Sequence, residues 1–350
     1  MIHVFTVHSS LTFLIAYSVI KHLKLYKEEV ILITSGYIVP IDGFNVFNSF
    51  EDDNKSWSEK ILKFNVPNYY DKYIDKLTYS KPFIAYIDLM SYYQKILVTN
   101  KNCQGFHFIE EGNSAYQSND DLTDISWHER SMNYRNNQFS FKSLVRVLRG
   151  YNLRLLSLPY IYSAYVNMEN IRFFSFSKNA FYNAPYEKKI LVSPDLKDEN
   201  IALMSGNFQL ENQVVWLDGS NARYTELSEE YYYNAIQKAI DILKNRNVIL
   251  SKVYVKLRPG IKDYNQNQLV KILIRNNIEV EVLPDEMILE CFFMLSKNCH
   301  VIGTLTAALE YAYVFGHKAY SIYGLFAKQP PTFFDRMTGF WENIENLKEN

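Results

Sequence analysis

The hydrophobic pattern of the chain alternates between short apolar runs and longer segments with helical spacing. IHVFTV at residues 2–7 is typical of a buried strand, HSS supplies turn and N-cap residues, and LTFLIAYSVIKHL has apolar positions at helical spacing. Three further strand-like runs follow before residue 113, namely EVILITSG, KPFIAYIDL and QGFHFIEEG. Strands and helices that alternate in this way favour a parallel sheet covered by helices.

A second alternating series begins at KKILVSP, after an aromatic and basic segment without strand alternation, SFKSLVRVLRGYNLRLLSLPYIYSAYV. Its predicted strands are KKILVSP, QVVWLDGS, KVYVKLRPG, IEVEVLP, HVIG and KAYSIYG, and we expect the last to close the sheet. Its predicted helices are EEYYYNAIQKAIDILKN, NQNQLVKILIRNN, ILECFFMLSK and one that begins near Ala307. The pattern therefore predicts two α/β halves.

The predicted organisation has four parts. They are an N-terminal Rossmann-like domain at 1–155, an interdomain passage at 156–186, a C-terminal Rossmann-like domain at 187–326 and a helical tail at 327–350. Two such halves imply a cleft between them, because ligands bind beyond the carboxyl ends of the strands in sheets of this kind. Candidate functional residues are therefore those that directly follow a predicted strand.

Composition narrows the class of protein. A chain of 350 residues with 48% hydrophobic residues is long enough for two domains with separate cores. A net charge of -1 argues against a nucleic-acid partner, whose phosphates require a basic surplus. Three cysteines without C-x-x-C spacing indicate neither a disulfide framework nor a zinc site, so we expect a reducing cytoplasm. We also expect no signal peptide and no membrane-spanning helix.

The stretch FIEEGNSAY places Glu110 and Glu111 between a predicted strand and Gly112, which permits a sharp turn. Side chains alternate along a strand, so we expect one carboxylate to face the cleft and the other to point into the protein. A carboxylate at this position is suited to take a proton from an alcohol. The alternative interpretation is a solvated acidic turn.

Two other strand ends carry residues that suit a phosphate. In KVYVKLRPG, Arg258 precedes Pro259, and the proline turn holds the guanidinium at the carboxyl edge of the sheet. In HVIGTLTAALEYAYVFG, Gly303, Thr304 and Thr306 lie between a strand and a helix, where hydroxyls and free backbone N–H groups form an anion site. The alternatives are an exposed arginine before a turn and a plain helix cap.

Further candidates could contact a nucleotide. Glu286 and Glu290 are four residues apart in LPDEMILE, which predicts one helix face where a carboxylate accepts both hydroxyls of a ribose. Ser220 follows the predicted strand QVVWL and is a candidate nucleotide contact. The alternative for Glu286 is a helix cap or a solvated surface residue, and the alternative for Ser220 is a loop that only begins the next helix.

His8 is the most suggestive of the seven histidines, because it lies beside Ser9 and Ser10 at the first strand-to-helix turn. These three residues and Asn113 are candidate substrate contacts. The sequence contains no H-E-x-x-H, no Asp-x-Asp and no glycine-rich phosphate loop. We therefore expect no metal and no other cofactor.

With these motifs, the chain resembles the bacterial sialyltransferases of the GT-B fold in glycosyltransferase families 52, 38 and 80. EEG at 110–112 matches their acidic-acidic-glycine motif, and GTLT at 303–306 is similar to their Ser/Thr motif. KLRPG stands where these families have Lys-x-His-Pro. The segments WLDGS, SEEYYYNAI and LPDEMILE are similar to stretches of family 52, as is the opening strand, turn and helix. The resemblance covers most of residues 1–325 in order.

The resemblance implies a GT-B protein of the α/β class, in which two Rossmann-like domains face each other across a cleft. It also implies metal-independent transfer of sialic acid or a related nonulosonic acid from CMP to a hydroxyl of a bacterial surface glycan, either capsule or lipooligosaccharide. By the same resemblance the catalytic base is Glu110 or Glu111, of which we favour Glu111. Arg258, Thr304 and Thr306, with Gly303, hold the CMP phosphate, and Glu290, with Glu286 second, holds the ribose. The residues assigned to the acceptor or donor sugar are His8, Ser9, Ser10 and Asn113.

Arg258 departs from the family pattern, because a guanidinium neutralises a leaving phosphate but does not donate a proton. This leaves open another nine-carbon donor, such as pseudaminic or legionaminic acid, and a changed stereochemical course. Two other functions also stay open. One is a transferase that uses a UDP or GDP sugar, and the other is a non-catalytic partner in polysaccharide assembly that retains the fold.

For the location we expect the cytoplasm. The arginines and aromatic residues of SLVRVLRGYNLRLLSLPYIY at 143–162 suit contact with the cytoplasmic face of the inner membrane, where lipid-linked acceptors lie. The alternative is an interdomain helix that packs its apolar face inward.

Overall fold

A computed structural model describes residues 1–48, 66–116, 158, 162–195, 197–218, 229–257, 267–304, 306–326, 340 and 342–349. The contacts between residues divide the chain into two units. The first comprises Met1–Glu111 and Asn119–Pro194, and the second comprises Gly112–Ser118 and Asp195–Asn350.

The first unit contains a seven-stranded sheet with the order β3-β2-β1-β4-β5-β6-β7. Its strands are β1 (Ile2–Val7), β2 (Val30–Thr34), β3 (Asn45–Asn48), β4 (Phe83–Ile87), β5 (Cys103–Ile109), β6 (Phe173–Ser175) and β7 (Lys189–Leu191). All neighbouring strands are parallel. The direction of strand addition reverses between β1 and β4, which makes their carboxyl ends the topological switch point of the sheet.

The helices described in this unit are α1 (Ser10–His22), α2 (Val66–Leu77) and α3 (Tyr92–Val98). A capping box begins α1: Ser9 Oγ accepts a hydrogen bond from Thr12 N at 3.2 Å, and Thr12 Oγ1 accepts one from Ser9 N at 3.0 Å. Thr12 Oγ1 also accepts from His8 N at 3.0 Å. The turn that carries His8 away from β1 is therefore held by hydrogen bonds within its own sequence.

The second unit contains a six-stranded parallel sheet with the order β10-β9-β8-β11-β12-β13. Its strands are β8 (Val214–Leu217), β9 (Lys252–Lys256), β10 (Glu279–Val282), β11 (His300–Gly303), β12 (Lys318–Ser321) and β13 (Glu345–Asn346). Its helices are α4 (Glu199–Met204), α5 (Glu229–Asn245), α6 (Gln268–Arg275), α7 (Leu289–Leu295) and α8 (Ala307–Val314). The switch point lies between β8 and β11.

One apolar core joins α5 and α6 to this second sheet. Ile236 and Ile240 of α5, Leu273 of α6 and Val255 of β9 are buried in the same cluster. The two sheets, with their parallel strands and covering helices, confirm the predicted α/β class.

The boundary between the units differs from the predicted passage at 156–186. Phe173–Ser175 within that passage is β6, and KKILVSP forms β7 of the first sheet rather than the first strand of the second. Phe173 lies opposite Phe108 of β5, and β7 lies beside β6. A strand of three residues has too little periodicity to reveal its partner, so only the pairing shows which sheet it joins.

The described end of the predicted helical tail also differs from expectation. Glu345–Asn346 is a strand that pairs with Tyr320 and Ser321 of β12, so KAYSIYG does not close the sheet. Its position is held by hydrogen bonds from Gly324 N to Asn346 Oδ1 at 2.7 Å and from Leu347 N to the Ser321 carbonyl at 2.8 Å. These contacts reach over more than 20 residues, and a local pattern does not show them.

In the part of the chain that the structure describes, no helix has both the length and the apolar character needed to cross a bilayer. Nearly all of the basic and aromatic stretch at 143–162, which suits membrane contact, lies outside the described residues.

Candidate active site

Three side chains meet at the carboxyl edge of the first sheet. His8 follows β1, Asp88 follows β4 and Glu111 lies just beyond β5, and these three strands are neighbours. His8 Nδ1 lies 2.8 Å from Asp88 Oδ2, and His8 Nε2 lies 3.4 Å from Glu111 Oε1. His8 and Asp88 thus meet across the switch point, the place where sheets of this kind bind their ligands.

The two adjacent glutamates have different environments. Glu110 is fully buried, and its Oε2 accepts a hydrogen bond from Phe176 N at 2.8 Å. The Glu111 side chain is 27% exposed. Glu110 therefore connects the segment after β5 to the segment after β6 by a hydrogen bond. Of the two carboxylates, Glu111 is the one that a substrate can reach.

Asp88 belongs to this cluster, although no sequence motif pointed to it. Its side chain is 2% exposed, and its Oδ1 accepts hydrogen bonds from Thr6 Oγ1 at 2.8 Å and from Gln94 Nε2 at 3.3 Å. A signal was present in KPFIAYIDL, where an acidic residue follows an apolar strand directly, as it does in the EEG stretch.

The electrostatic environment favours the charged form of His8. Burial lowers the pKa of His8, but the hydrogen bonds and charges of Asp88 and Glu111 outweigh it and raise the pKa from 6.5 to about 10. Both ring nitrogens face carboxylate oxygens, so the imidazolium, with two N–H donors, fits this site better than the neutral ring. At neutral pH the cluster holds one cation between two carboxylates.

The raised pKa of His8 predicts a pH dependence of stability. The protonated ring stabilises the fold fully below its unfolded-state pKa of 6.5, and this contribution is lost as the pH rises through about 10. We expect the melting temperature of the wild type to exceed that of His8→Gln most at about pH 6, with the difference shrinking toward about pH 10. Thermal melts of both proteins across this range provide the measurement, and a constant difference would contradict the ion pairs.

The predicted residues that adjoin His8 and Glu111 in the sequence have different roles. Ser9 uses its hydroxyl to cap α1, and Ser10 is the first residue of that helix and partly buried. Asn113 lies in the 3-10 helix Gly112–Tyr116, and its side chain is outside the described part of the structure. Gly112 has φ 46°, a left-handed conformation that favours glycine at this turn.

In the second unit, the carboxyl end of β11 leads through Thr304 to the N-terminus of α8. Thr304 is 2% exposed, and its Oγ1 is buried with no hydrogen-bond partner among the described residues. Thr306 caps α8 and accepts from Ala308 N at 3.4 Å. A Cβ added at Gly303 would lie 3.4 Å from Leu217 Cβ, an ordinary van der Waals contact. An unpaired buried hydroxyl beside a helix N-terminus suits an anionic oxygen.

Lys256, the last residue of β9, holds the neighbouring loop. It is buried, and its ammonium donates hydrogen bonds to the carbonyl oxygens of Pro284 and, at 3.1 Å, of Asp285. Burial lowers the pKa of Lys256, and the charges of Asp285, Glu286 and Glu290 oppose this effect. The lysine of KLRPG therefore positions the LPDE loop at the carboxyl edge of the second sheet.

The prediction that Glu286 and Glu290 share one helix face is wrong. Glu286 is exposed in a turn, and α7 begins only at Leu289, so Glu290 is its second residue. A helix through this segment would need Ile288 N to bond to the Pro284 carbonyl, but it donates to the Met204 carbonyl at 2.8 Å instead. The four-residue spacing therefore does not place the two side chains on one helix face.

Two predicted contacts, Arg258 and Ser220, lie outside the described residues. Asp218, which follows β8 directly, accepts hydrogen bonds from the Tyr232 hydroxyl at 3.1 Å and from Asn267 Nδ2 at 2.8 Å. Asn267 is the N-cap of α6, so Asp218 connects β8 to the starts of two helices. The described residues contain no group of three or more His, Cys, Asp or Glu side chains that could hold a metal ion.

No model of a known protein family matches the sequence, and no curated protein matches it either. Solved structures do match. A 2,6-sialyltransferase from Photobacterium sp. JT-ISH-224, in complex with CMP and lactose, has a TM-score of 0.52 at 12% identity, over 99% of this chain and 78% of that chain. A UDP-GlcNAc 2-epimerase from Methanocaldococcus jannaschii has a TM-score of 0.48 at 9% identity, over 100% of this chain and 90% of the epimerase chain. The spinosyn rhamnosyltransferase SpnG has a TM-score of 0.47 at 10% identity, over 100% of this chain and 87% of the SpnG chain.

At 12% identity, the likeness to the sialyltransferase concerns the fold. Both sheets of this chain are parallel, and in each the strand order reverses once, next to the first strand of its unit. That arrangement is the doubly wound topology of a Rossmann-like domain. The chain therefore has a GT-B fold built from two Rossmann-like domains.

Proposed function

We propose that this protein is a glycosyltransferase that moves sialic acid or a related nonulosonic acid from its CMP derivative to a hydroxyl of a bacterial surface glycan. The observation that carries the proposal is the cluster of His8, Asp88 and Glu111 at the switch point of the first sheet. It offers a partly exposed carboxylate, oriented by a cation, to an acceptor. A base at this position accelerates transfer to an alcohol by taking the proton of the attacking hydroxyl.

In the proposed reaction Glu111 takes the proton of the acceptor hydroxyl. The acceptor oxygen forms a bond to the anomeric carbon of the donor sugar, while the bond from that carbon to the phosphate oxygen of CMP breaks and its electron pair leaves with the phosphate. The products are the extended glycan and CMP, and the proton remains on Glu111 until solvent removes it. Negative charge grows on the phosphate during this step, so groups fixed there stabilise the transition state most.

The second unit supplies the groups that we assign to CMP. The buried hydroxyl of Thr304 and the N-terminus of α8 after Thr306 suit the phosphate, and we assign Gly303, at the end of β11, to the same site. We assign Arg258 to the same phosphate and Glu290 to the ribose. Glu286 remains a second ribose candidate by virtue of its turn beside Lys256 rather than by helical spacing.

Nucleotide binding separates this proposal from a UDP- or GDP-dependent transferase. We expect CMP to raise the melting temperature by on the order of a few degrees at about 100-fold its dissociation constant, and UDP and GDP to raise it less. A thermal-shift series with the three nucleotides makes the comparison. Stabilisation by UDP or GDP above CMP would overturn the choice of CMP.

Turnover tests the transferase itself. We expect release of CMP from CMP-N-acetylneuraminate or CMP-pseudaminate that depends on a galactose- or N-acetylgalactosamine-ended acceptor and persists in EDTA. A non-catalytic assembly protein would bind glycan without releasing CMP from either donor. We place this activity at the cytoplasmic face of the inner membrane, because the basic and aromatic composition of residues 143–162 suits anionic headgroups.

A further inference from the structure

Asp88 lies deeper than the two residues to which it is linked. Its side chain is 2% exposed, against 34% for His8 and 27% for Glu111. It contacts one side of the imidazole through Nδ1, and Glu111 contacts the other side through Nε2. Asp88 is therefore placed to act on Glu111 through the ring of His8 rather than on a substrate.

Neutral donors hold the Asp88 carboxylate in one orientation. Thr6 Oγ1 and Gln94 Nε2 both donate to Oδ1, which turns Oδ2 toward His8. The amide oxygen of Gln94 accepts from the Ser91 hydroxyl, so its NH2 group is the end that faces Asp88. Because two donors hold the buried Asp88 carboxylate in place, its contact with Nδ1 restricts the orientation of the His8 ring.

The ring of His8 is fixed from two directions. Its backbone N–H is bonded to Thr12 Oγ1 at 3.0 Å within the cap of α1, and its Nδ1 is bonded to Asp88. The Nε2–H group then points to Glu111. The charged groups that act on His8 are Asp88, after β4, and Glu111, after β5. Glu110, on the same segment as Glu111, is instead bonded to Phe176 N.

We propose that Asp88 is a positioning residue, which holds His8 as a doubly donating imidazolium and thereby orients the carboxylate of Glu111 toward the acceptor hydroxyl. The inference rests on the proposed role of Glu111 as the base. When Glu111 takes the acceptor proton, the His8 cation loses the charge of one partner and keeps that of Asp88. The His8 ring, whose side chain is 34% exposed, therefore keeps one anionic partner throughout the step.

The test combines NMR of the His8 ring, in protein labelled with 15N-histidine, with kinetics of transfer. In Asp88→Asn we expect the pKa of His8 to fall by about one unit or more, because the neutral amide removes one of its two anionic partners. We expect kcat to fall by about 10- to 100-fold with little change in the KM for the donor, because the base is misoriented but the nucleotide groups are intact. The pH profile of kcat should change together with the titration of His8.

A second variant guards against failure of Asp88→Asn to fold. Gln94→Leu removes one donor to Asp88 without altering any charge, and a cavity of about 80 Å³ beside Gln94 gives the new side chain room. We expect a smaller loss of kcat in the same direction. The control is Asp75→Asn, which removes a carboxylate bonded to Asn100 and Asn102. These two asparagines precede β5, at the opposite end of that strand from Glu111, so we expect both readouts to be unchanged.

The outcomes separate the two hypotheses. If His8 titrates in Asp88→Asn as in the wild type, or if kcat is unchanged in both Asp88→Asn and Gln94→Leu, the positioning role is overturned even where the transferase is active. A second outcome is that the wild type turns over no donor, while Asp88→Asn changes the His8 titration and Asp75→Asn does not. In that case the contact between His8 and Asp88 is supported and the proposed function is overturned.

Discussion

Glu111→Gln is expected to lower the kcat of transfer by about 10²- to 10⁴-fold, the range that a general base contributes. The amide has the size of the carboxylate but accepts no proton from the acceptor hydroxyl. The side chain is partly exposed, so the substitution should leave the fold and the binding of CMP unchanged. CMP release at saturating donor and acceptor measures the loss, and circular dichroism shows whether the fold is retained.

Glu110 is the matched comparison, because it carries the same charge one residue earlier. Glu110→Gln keeps an oxygen that can accept from Phe176 N, so we expect kcat to fall far less than in Glu111→Gln. Glu110→Ala removes that buried acceptor, and the loss of its hydrogen bond from Phe176 N should lower the free energy of unfolding by about 1–3 kcal/mol. Equal losses of kcat in the two glutamine variants would contradict the assignment of the base to Glu111.

Thr304→Val is expected to change stability and nucleotide affinity in opposite directions. The hydroxyl is buried without a partner among the described residues, so its replacement by a methyl group should raise the free energy of unfolding of the nucleotide-free protein by about 1–3 kcal/mol. If this hydroxyl bonds to the CMP phosphate, its loss should weaken binding by about 5- to 100-fold. Urea unfolding and calorimetric titration with CMP give the two quantities.

Thr306→Ala provides the contrast for this prediction. The Thr306 hydroxyl caps α8, so its loss should destabilise the protein by about 0.5–2 kcal/mol. The two threonines, two residues apart, should therefore shift stability with opposite signs. A Thr304→Val protein that is less stable than the wild type would show that the hydroxyl is satisfied, and the argument for an anion at this site would lose its main support.

The alternating α/β organisation was readable from the sequence, because it depends on local periodicity. The pattern EEYYYNAIQKAIDILKN predicts a helix, and α5 spans the same residues. The apolar runs at IHVFTV and KVYVK likewise correspond to β1 and β9. The rule that ligands bind beyond strand ends then pointed to His8, Glu111 and Thr304, since a strand end is visible wherever an apolar run meets a turn.

Contacts between distant parts of the chain were decided only by the tertiary structure. The membership of β6 and β7 in the first sheet depends on pairing with β5, and the turn at Glu286 depends on hydrogen bonds to Lys256 and Met204. The meeting of His8 with Asp88 spans 80 positions of the sequence. Strand alternation implied that one of the two glutamates would point into the protein, and the structure shows that it is Glu110, which is fully buried and accepts a hydrogen bond from Phe176 N. Local patterns set the elements, whereas hydrogen bonds and ion pairs across the sheet edge determine which side chains meet there.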